Sequence, residues 1–241
     1  MQNIVDPVEI PSLGALLRLQ QLADSSLPIG GAAHSFGIES LVDARLLSAD
    51  SIEIFLGDYL KEAGALEASY CISSCNLARG SVRHDIIPEW LQCNTELAAR
   101  KLSRESREAS AAMGRRFLNL SARISGLELL LQASDAVRES RAEVHLAPCF
   151  GLAAGSLGID ARIAAAAYLQ QSITTLLSCC QRLLPVGQTR AQEILWALEP
   201  YKLHAVERGT AIPAARASSF TPLMDVMSCR HANLYTRLFI S

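Results

Sequence analysis

The feature that most constrains the fold is a long uncharged stretch that runs from Ile163 to Gln181. Its apolar residues recur at alternating three- and four-residue steps, at Ala166, Leu169, Ile173, Leu176, Cys180 and Leu183. That spacing places them on one face of an α-helix of about six turns. Asp160 is a predicted N-cap, because a short carboxylate accepts first-turn amides, and Pro185 and Gly187 end the helix. We therefore expect the other helices to pack around a central buried helix at about residues 160–184.

A membrane span is the alternative for the same stretch, whose length just reaches the ~20 residues that a bilayer requires. The stretch contains seven uncharged polar residues: Gln170, Gln171, Ser172, Thr174, Thr175, Ser178 and Gln181. In contact with lipid these groups would lack hydrogen-bond partners, so the sequence favours a buried helix and no membrane association. Residues 1–12 show no basic start followed by an apolar block, which predicts no signal peptide.

Composition indicates a helical core. Half of the 241 residues are hydrophobic but only 5% are aromatic, so alanine and leucine, both good helix formers, must fill the interior. There is no sustained period-two alternation and no Asn-Gly or Asp-Gly hairpin signal. The sequence therefore predicts an all-α, single-domain bundle of about ten helices.

The charge and cysteine content restrict the partners and the compartment. Lys plus Arg is 22 and Asp plus Glu is 24, a formal net charge of -2 that argues against binding to nucleic acid or an anionic membrane. The seven cysteines are odd in number and irregularly spaced, which favours a reduced, cytoplasmic chain.

Further helices are predicted from periodicity and from capping signals. An acidic cap with a glutamate three residues later, Asp50 to Glu53, is typical of a capping box that opens a helix through Leu60. The other predicted helices are Leu13–Ala23, Ser35–Leu46, Ala65–Ala78, Pro88–Lys101, Arg104–Ala122, Leu127–Ser134, Cys149–Leu157 and Ala191–Val206.

The end of the chain differs in character from the rest. We expect a helical body over residues 1–208, a flexible linker of small residues over 209–221 and an apolar tail over 222–241. From Arg208 onward there are four arginines and one acid, Asp225, so the formal charge of this part is +3. The tail is either a packed final helix or a docking arm, and the sequence leaves both open.

Two groups of residues could carry chemistry. Gly30 and Gly31, followed by Gly37, are compatible with a phosphate-binding loop, but no nucleotide-binding motif accompanies them, which favours a tight turn between helices. His34 with Ser35 and Glu39 forms the only local acid–base cluster, for which helix capping is the simpler interpretation.

Two pairs could bind a metal ion. Cys71 and Cys75 share a helix face, with His84 as the nearest histidine, but a metal would need further ligands and buried cysteine is common. Cys229 and His231 could hold a soft metal only transiently. Arg230 and Arg237, by contrast, are suited to a partner's carboxylates.

Five separated motifs, in the same order, resemble those of the urease accessory protein UreF family. They are Leu22–Gly31 with His34–Glu39, Met113–Arg116, Phe150–Ala153, Arg182–Gln188, and Asp225–His231 with Tyr235–Phe239. The resemblance covers about residues 16–241, nearly the whole chain. Each motif is weak by itself, whereas five in order are a specific signal.

The resemblance implies an all-α homodimer with no reaction, cofactor or bound metal of its own. Such proteins join the accessory protein UreD (also called UreH) and the nickel-carrying GTPase UreG on apo-urease, and so support nickel insertion and GTP-dependent lysine carbamylation. The partner-facing residues that it implies are Asp225, Arg230, His231, Tyr235, Arg237, Leu238 and Phe239. The shaped turns that it implies contain Gly30, Gly31, Ser35, Gly37, Glu39, Gly187 and Gln188.

The chain departs from the family pattern at Ala32 and His34, where aromatic residues are common, and at Cys229 and Ala232, which replace a methionine and an acid. Two other functions remain open. One is a nickel-binding or nickel-transfer protein that uses cysteine and histidine ligands, namely Cys71, Cys75, Cys229 and His231. The other is a cofactor-free helical enzyme centred on His34 and Glu39.

Overall fold

The computed structural model describes residues 9–80 and 85–240, and His84 and most of the stretch considered for a signal peptide lie outside these ranges. The described residues contain helices and turns but no strand, which confirms the all-α prediction. The helices are α1 (Leu13–Leu22), α2 (Ile38–Asp43), α3 (Ile52–Tyr59), α4 (Ala65–Gly80), α5 (Ile87–Arg100), α6 (Arg104–Ser125), α7 (Glu128–Ser140), α8 (Leu146–Ser156), α9 (Ala161–Leu183), α10 (Gln188–Ala197), α11 (Glu199–Ala211) and α12 (Pro222–Arg230).

Helix α9 is the central helix that the uncharged stretch predicts. Asp160 caps its start, since Oδ1 accepts hydrogen bonds from the amides of Arg162 at 2.8 Å and Ile163 at 3.4 Å. The helix ends at Leu183, two residues before Pro185. The stripe residues Leu169, Ile173, Leu176 and Cys180 are all buried. Among the described residues, no helix combines the length and the apolar character that crossing a membrane requires.

The closest helix packing is between α4 and α8, a pair that the sequence did not single out. Every residue of α8 from Leu146 to Gly155 is buried. A Cβ atom at Gly151 would overlap the carbonyl of Cys71, and one at Gly155 would overlap that of Cys75, so two glycines let the backbones approach. Cys71 and Cys75 are therefore core residues, in line with the simpler interpretation.

The capping box predicted at Asp50–Glu53 is wrong by two residues. Ser48 is the capping residue, and its N–H donates to Ser51 Oγ at 3.0 Å. A 3-10 turn, Ala49–Ser51, then leads into α3, and a π-helical turn, Leu60–Gly64, joins α3 to α4 without a break. Serine caps helices as well as aspartate does, and in this box a serine, Ser51, takes the place of the usual glutamate or glutamine. The three-residue spacing of Asp50 and Glu53 was therefore not enough to locate the capping box.

The single helix predicted over residues 191–206 is two helices, α10 and α11, which meet at Leu198. Pro200 lies in the first turn of α11. Proline lacks the N–H that a helix interior needs but fits a first turn, so the chain ends one helix and begins another there.

Candidate functional site

The tail packs against the body beside the glycine-rich turn near the start of the chain. We use "tail" for Pro222–Ile240 and "turn segment" for Ile29–Glu39. Helix α12 contacts α2 and α6, and a 3-10 turn, His231–Asn233, follows it. The tail is therefore packed against the body, which is one of the two alternatives that the sequence left open. The division of the chain into body, linker and tail, and the role of the tail in docking, remain predictions.

A buried carboxylate, Glu39 in the first turn of α2, fastens the tail to the turn segment. His231 Nε2 lies 2.7 Å from Glu39 Oε2 and donates to it, because a carboxylate can only accept. The N–H of Leu238 donates to Oε1 at 2.6 Å, and that of Phe239 donates to Oε2 at 3.3 Å. Hydrogen bonds to an ionised acceptor are stronger than neutral ones. Glu39 thus joins two predicted motifs that are 192 residues apart.

Gly37 shapes the turn segment so that α12 can approach it. Its φ is +89°, in the left-handed region that favours glycine. A Cβ atom there would lie 3.0 Å from the backbone nitrogen of Ser228 and 3.2 Å from the carbonyl oxygen of Met224. The predicted helix over 35–46 is accordingly shorter than expected, because Gly37 is the residue before α2 begins.

Two arginines hold the carbonyl groups of the turn segment. Arg116 donates to the carbonyl of Ile29 at 3.3 Å, and Arg182 donates to that of Ala32 at 2.6 Å. Gly30, with φ of +85°, packs against the Arg116 guanidinium. Arginine bound to the carbonyl oxygens is typical of a structural turn, and a phosphate would instead need free amides.

The last described residues close over this turn. The N–H of Ile240 donates to the carbonyl of Ala33 at 2.8 Å. The guanidinium of Arg182 lies 4.4 Å from the centroid of the Phe239 ring, within cation–π range. The turn segment therefore contacts the tail both at its middle, through Ala33, and at its end, through Glu39.

The seven residues that the resemblance places toward a partner do not share one face. Four of them, Arg230, Tyr235, Arg237 and Leu238, are exposed. His231 and Phe239 are buried against the turn segment. Asp225 is half-buried, accepts a hydrogen bond from the Thr221 hydroxyl at 3.3 Å, and has its pKa raised by burial.

Sequence reasoning missed four large apolar residues that are exposed at or beside the tail: Phe220, Leu223, Val226 and Ile240. The three-residue spacing of Leu223 and Val226 on α12 was the available signal. The apolar residues of α12 also include the half-buried Met224 and the buried Met227, so periodicity alone could not tell the exposed side from the buried one.

The other predicted turn residues have simpler roles. Gly187 precedes α10 with an ordinary φ of −70°, and Gln188 is the first residue of that helix. Neither position requires a left-handed backbone. Gly31 begins a 3-10 turn, Gly31–Ala33, and Ser35 is fully buried just before Gly37.

The acid–base cluster is occupied by structural contacts. The Glu39 carboxylate is bound by the tail, and burial, with a smaller contribution from Arg116, lowers the pKa of His34. Across residues 9–80 and 85–240, no group of three or more His, Cys, Asp and Glu residues is placed to hold a metal ion. Cys71 and Cys75 lie in the α4–α8 core, while Cys229 is exposed on α12.

The comparisons with known proteins agree with the motifs. A family model described as UreF matches residues 46–199, more than half of the chain. The chain belongs to the UreF family. This UreF-family chain is 31% identical over 230 residues to the urease accessory protein UreF of Actinobacillus pleuropneumoniae serotype 5b (strain L20), covering 95% of this chain and 99% of that protein.

Two further relatives extend this UreF-family match. The urease accessory protein UreF of Corynebacterium glutamicum (strain R) is 30% identical over 230 residues, covering 95% of this chain and 99% of that protein. That of Bacillus sp. (strain TB-90) is 27% identical over 231 residues, covering 95% and 100%. The resemblance seen in the five motifs is therefore confirmed at the level of the family.

Proposed function

We propose that this chain is a non-enzymatic adaptor of urease maturation that acts in the cytoplasm as a homodimer. In this role it joins a UreD/UreH-type protein and a UreG-type GTPase on apo-urease for GTP-dependent nickel insertion. Membership of the UreF family supports a role in urease maturation, since the relatives are named urease accessory proteins. The observation that supports the adaptor role is the structure of the tail. Glu39 holds the tail on the body, and the tail presents exposed aromatic, aliphatic and cationic side chains to solvent.

The tail is suited to docking because its backbone is fixed beneath exposed side chains. The amide of Leu238 is bound to Glu39 although the residue as a whole is 66% exposed. Tyr235 and Arg237 are exposed in the same segment, and tyrosine and arginine are residue types that dominate interface energetics. Ordering these groups before association lowers the entropy cost of binding. The matching partner surface is apolar with acidic residues, since Arg230 and Arg237 add positive charge.

The positions of the cysteines favour the adaptor over a metal-transfer protein. Metal binding requires thiolates, yet burial raises the pKa of Cys75 to about 12 and raises that of Cys71 as well. Both thiols lie within the α4–α8 core, where a metal ion would have to displace packed side chains. Cys229 and His231 do not join them, because His231 is bound to Glu39.

The test compares two leucines of equal exposure in co-purification with the UreD/UreH-type partner. Leu238 lies on the tail and Leu17 lies on α1, and both residues are 66% exposed. Leu238→Asp should weaken partner binding by at least about tenfold, because it places a charge in a desolvated interface. Leu17→Asp should bind like the wild type.

A chain truncated after Ser219 gives the coarser control. If the adaptor role rests on the tail, this chain should not bind the partner although its circular dichroism remains helical. Equal binding by the truncated and full-length chains would show that the body carries the interface. Failure of the full-length chain to bind would contradict the adaptor role itself.

A further inference from the structure

A cavity of about 100 Å³ lies between the body and the first part of the tail. Its walls come mainly from α4, α6, α9 and the turn segment. The tail side of the cavity is formed by Thr221, Met224 and Asp225, together with Ser219 just before the tail. The walls are partly apolar, and polar groups among them, such as Glu67, Ser110 and Asp225, can bind water in a space of this size.

The body side of the cavity contains a charge pair between buried Glu67 and half-buried Lys101. The Glu67 carboxylate accepts a hydrogen bond from the Tyr168 hydroxyl at 2.6 Å and is paired with the ammonium group of Lys101. Glu67 and Tyr168 are both buried, and Ser110 of α6 lines the same space. A largely buried pair of this kind depends on its remaining hydrogen bonds, so exposure to bulk solvent would change its environment substantially.

On one side of the cavity the chain is fastened just before the tail begins. Arg100 donates to the carbonyl of Ala215 at 2.7 Å and to that of Ala217 at 2.9 Å. The N–H of Phe220 donates to Glu62 Oε2 at 3.0 Å. These contacts are made to α5 and to the π-helical turn, which belong to the body.

On the other side the tail is fastened by Glu39, by a hydrogen bond between the hydroxyls of Ser228 and Ser106 at 2.8 Å, and by the Ile240 N–H, which donates to the carbonyl of Ala33. The Glu39 carboxylate holds His231, Leu238 and Phe239, as described above. Between the two fastened ends, residues 219–225 pass over the cavity, so this part of the tail rests partly on empty space and not on close-packed side chains.

We propose that residues 221–240 are a lid over this cavity and that Glu39 is the latch that keeps the lid closed. Breaking the Glu39 contacts removes the three hydrogen bonds that Glu39 makes to the far end of the lid, so that the remaining contacts there open more readily. The near end stays fixed, because Arg100 still holds Ala215 and Ala217 and Glu62 still holds Phe220. The lid then turns about residues 220–221 and exposes the Glu67–Lys101 pair to solvent. A partner that binds the closed tail therefore also keeps the cavity closed, which couples docking at the surface to access to the interior.

Thiol labelling measures this opening directly. Ser110→Cys places a reporter in the cavity wall, in a Cys229→Ser background that removes the exposed thiol. Glu39→Gln removes the negative charge of the latch and leaves one carbonyl acceptor. The reporter should label at least tenfold faster with Glu39→Gln than without it. Cys149, fully buried in α8, reports global unfolding in the same mass-spectrometry sample and should not change.

Asp160→Asn is the matched control, because Asp160 also accepts two backbone amides but lies at the start of α9. It should leave labelling of the cavity reporter unchanged. An unchanged rate with Glu39→Gln, or equal acceleration at the reporter and at Cys149, would overturn the lid.

Hydrogen exchange provides a second readout without the reporter, in case Ser110→Cys does not fold. With Glu39→Gln alone, the amides of Asp225 and Ile240, bonded to Thr221 and Ala33, should exchange faster together while peptides of α8 keep their protection. Faster exchange at Ile240 alone would show local fraying and would also overturn the proposal.

Discussion

His145 is a buried histidine whose protonation should destabilise the fold in acid. It precedes α8, is fully buried, and neither ring nitrogen has a hydrogen-bond partner within the described residues. Its backbone N–H donates to Asn94 Oδ1 at 2.7 Å, so the backbone position is fixed independently of the ring. Burial, with smaller contributions from Lys101 and Arg107, lowers the pKa of His145 to about 3.

The direction of the pH effect follows from this lowered pKa. In the unfolded chain a histidine has a pKa of about 6.5, so as the pH falls the unfolded state binds a proton before the folded state does. The stabilising contribution is complete above about pH 6.5 and is lost progressively as the pH falls toward 3. At pH 5, which is 1.5 units below the unfolded value, the loss is about 2 kcal/mol at about 1.4 kcal/mol per unit.

The assay is urea denaturation of the wild type and of His145→Leu at pH 7.5 and pH 5. Leucine fills a similar volume and has no nitrogen to protonate or to leave unpaired, so it should be near neutral in stability at pH 7.5. At pH 5 it should be more stable than the wild type by about 2 kcal/mol. His204→Leu, at an exposed position on α11, is the control and should follow the wild type at both pH values. If the difference between His145→Leu and the wild type is the same at both pH values, the reasoning fails.

Gly151→Ala and Gly37→Ala test the packing on which the fold and the tail depend, and Gly187→Ala is their control. Gly151→Ala should destabilise the protein by about 3 kcal/mol or more in urea denaturation, because the new methyl group overlaps the carbonyl of Cys71. Gly187 has open space around it, so Gly187→Ala should change stability by less than about 0.5 kcal/mol. Gly37→Ala should lower the free energy of unfolding by about 1–2 kcal/mol, because Gly37 has a left-handed backbone. The methyl group would also approach Ser228 of α12, so trypsin should cleave the tail faster than in the wild type. An unchanged cleavage rate would contradict the role of Gly37 in positioning α12.

Local sequence patterns determined the helical class and the central helix. The period of the apolar residues, the Asp160 cap and Pro185 define α9 without reference to any other part of the chain, because each acts within one or two helical turns. Pro200 was an equally local signal for a helix break. The single helix over residues 191–206 was predicted from apolar periodicity instead, and the break was missed for that reason. The family motifs likewise identified the family correctly.

The composition of the candidate site was decided only by the tertiary structure. Glu39 was predicted as part of a turn and His231 as a partner-facing residue, and no local pattern indicates that the two bind each other across 192 residues. In the tail, residues of similar polarity alternate between buried and exposed positions, so Phe239 faces the turn segment while Leu238 faces solvent. Periodicity assigns residues to faces of one helix, but which face is covered depends on where distant segments pack, and that is a property of the folded chain.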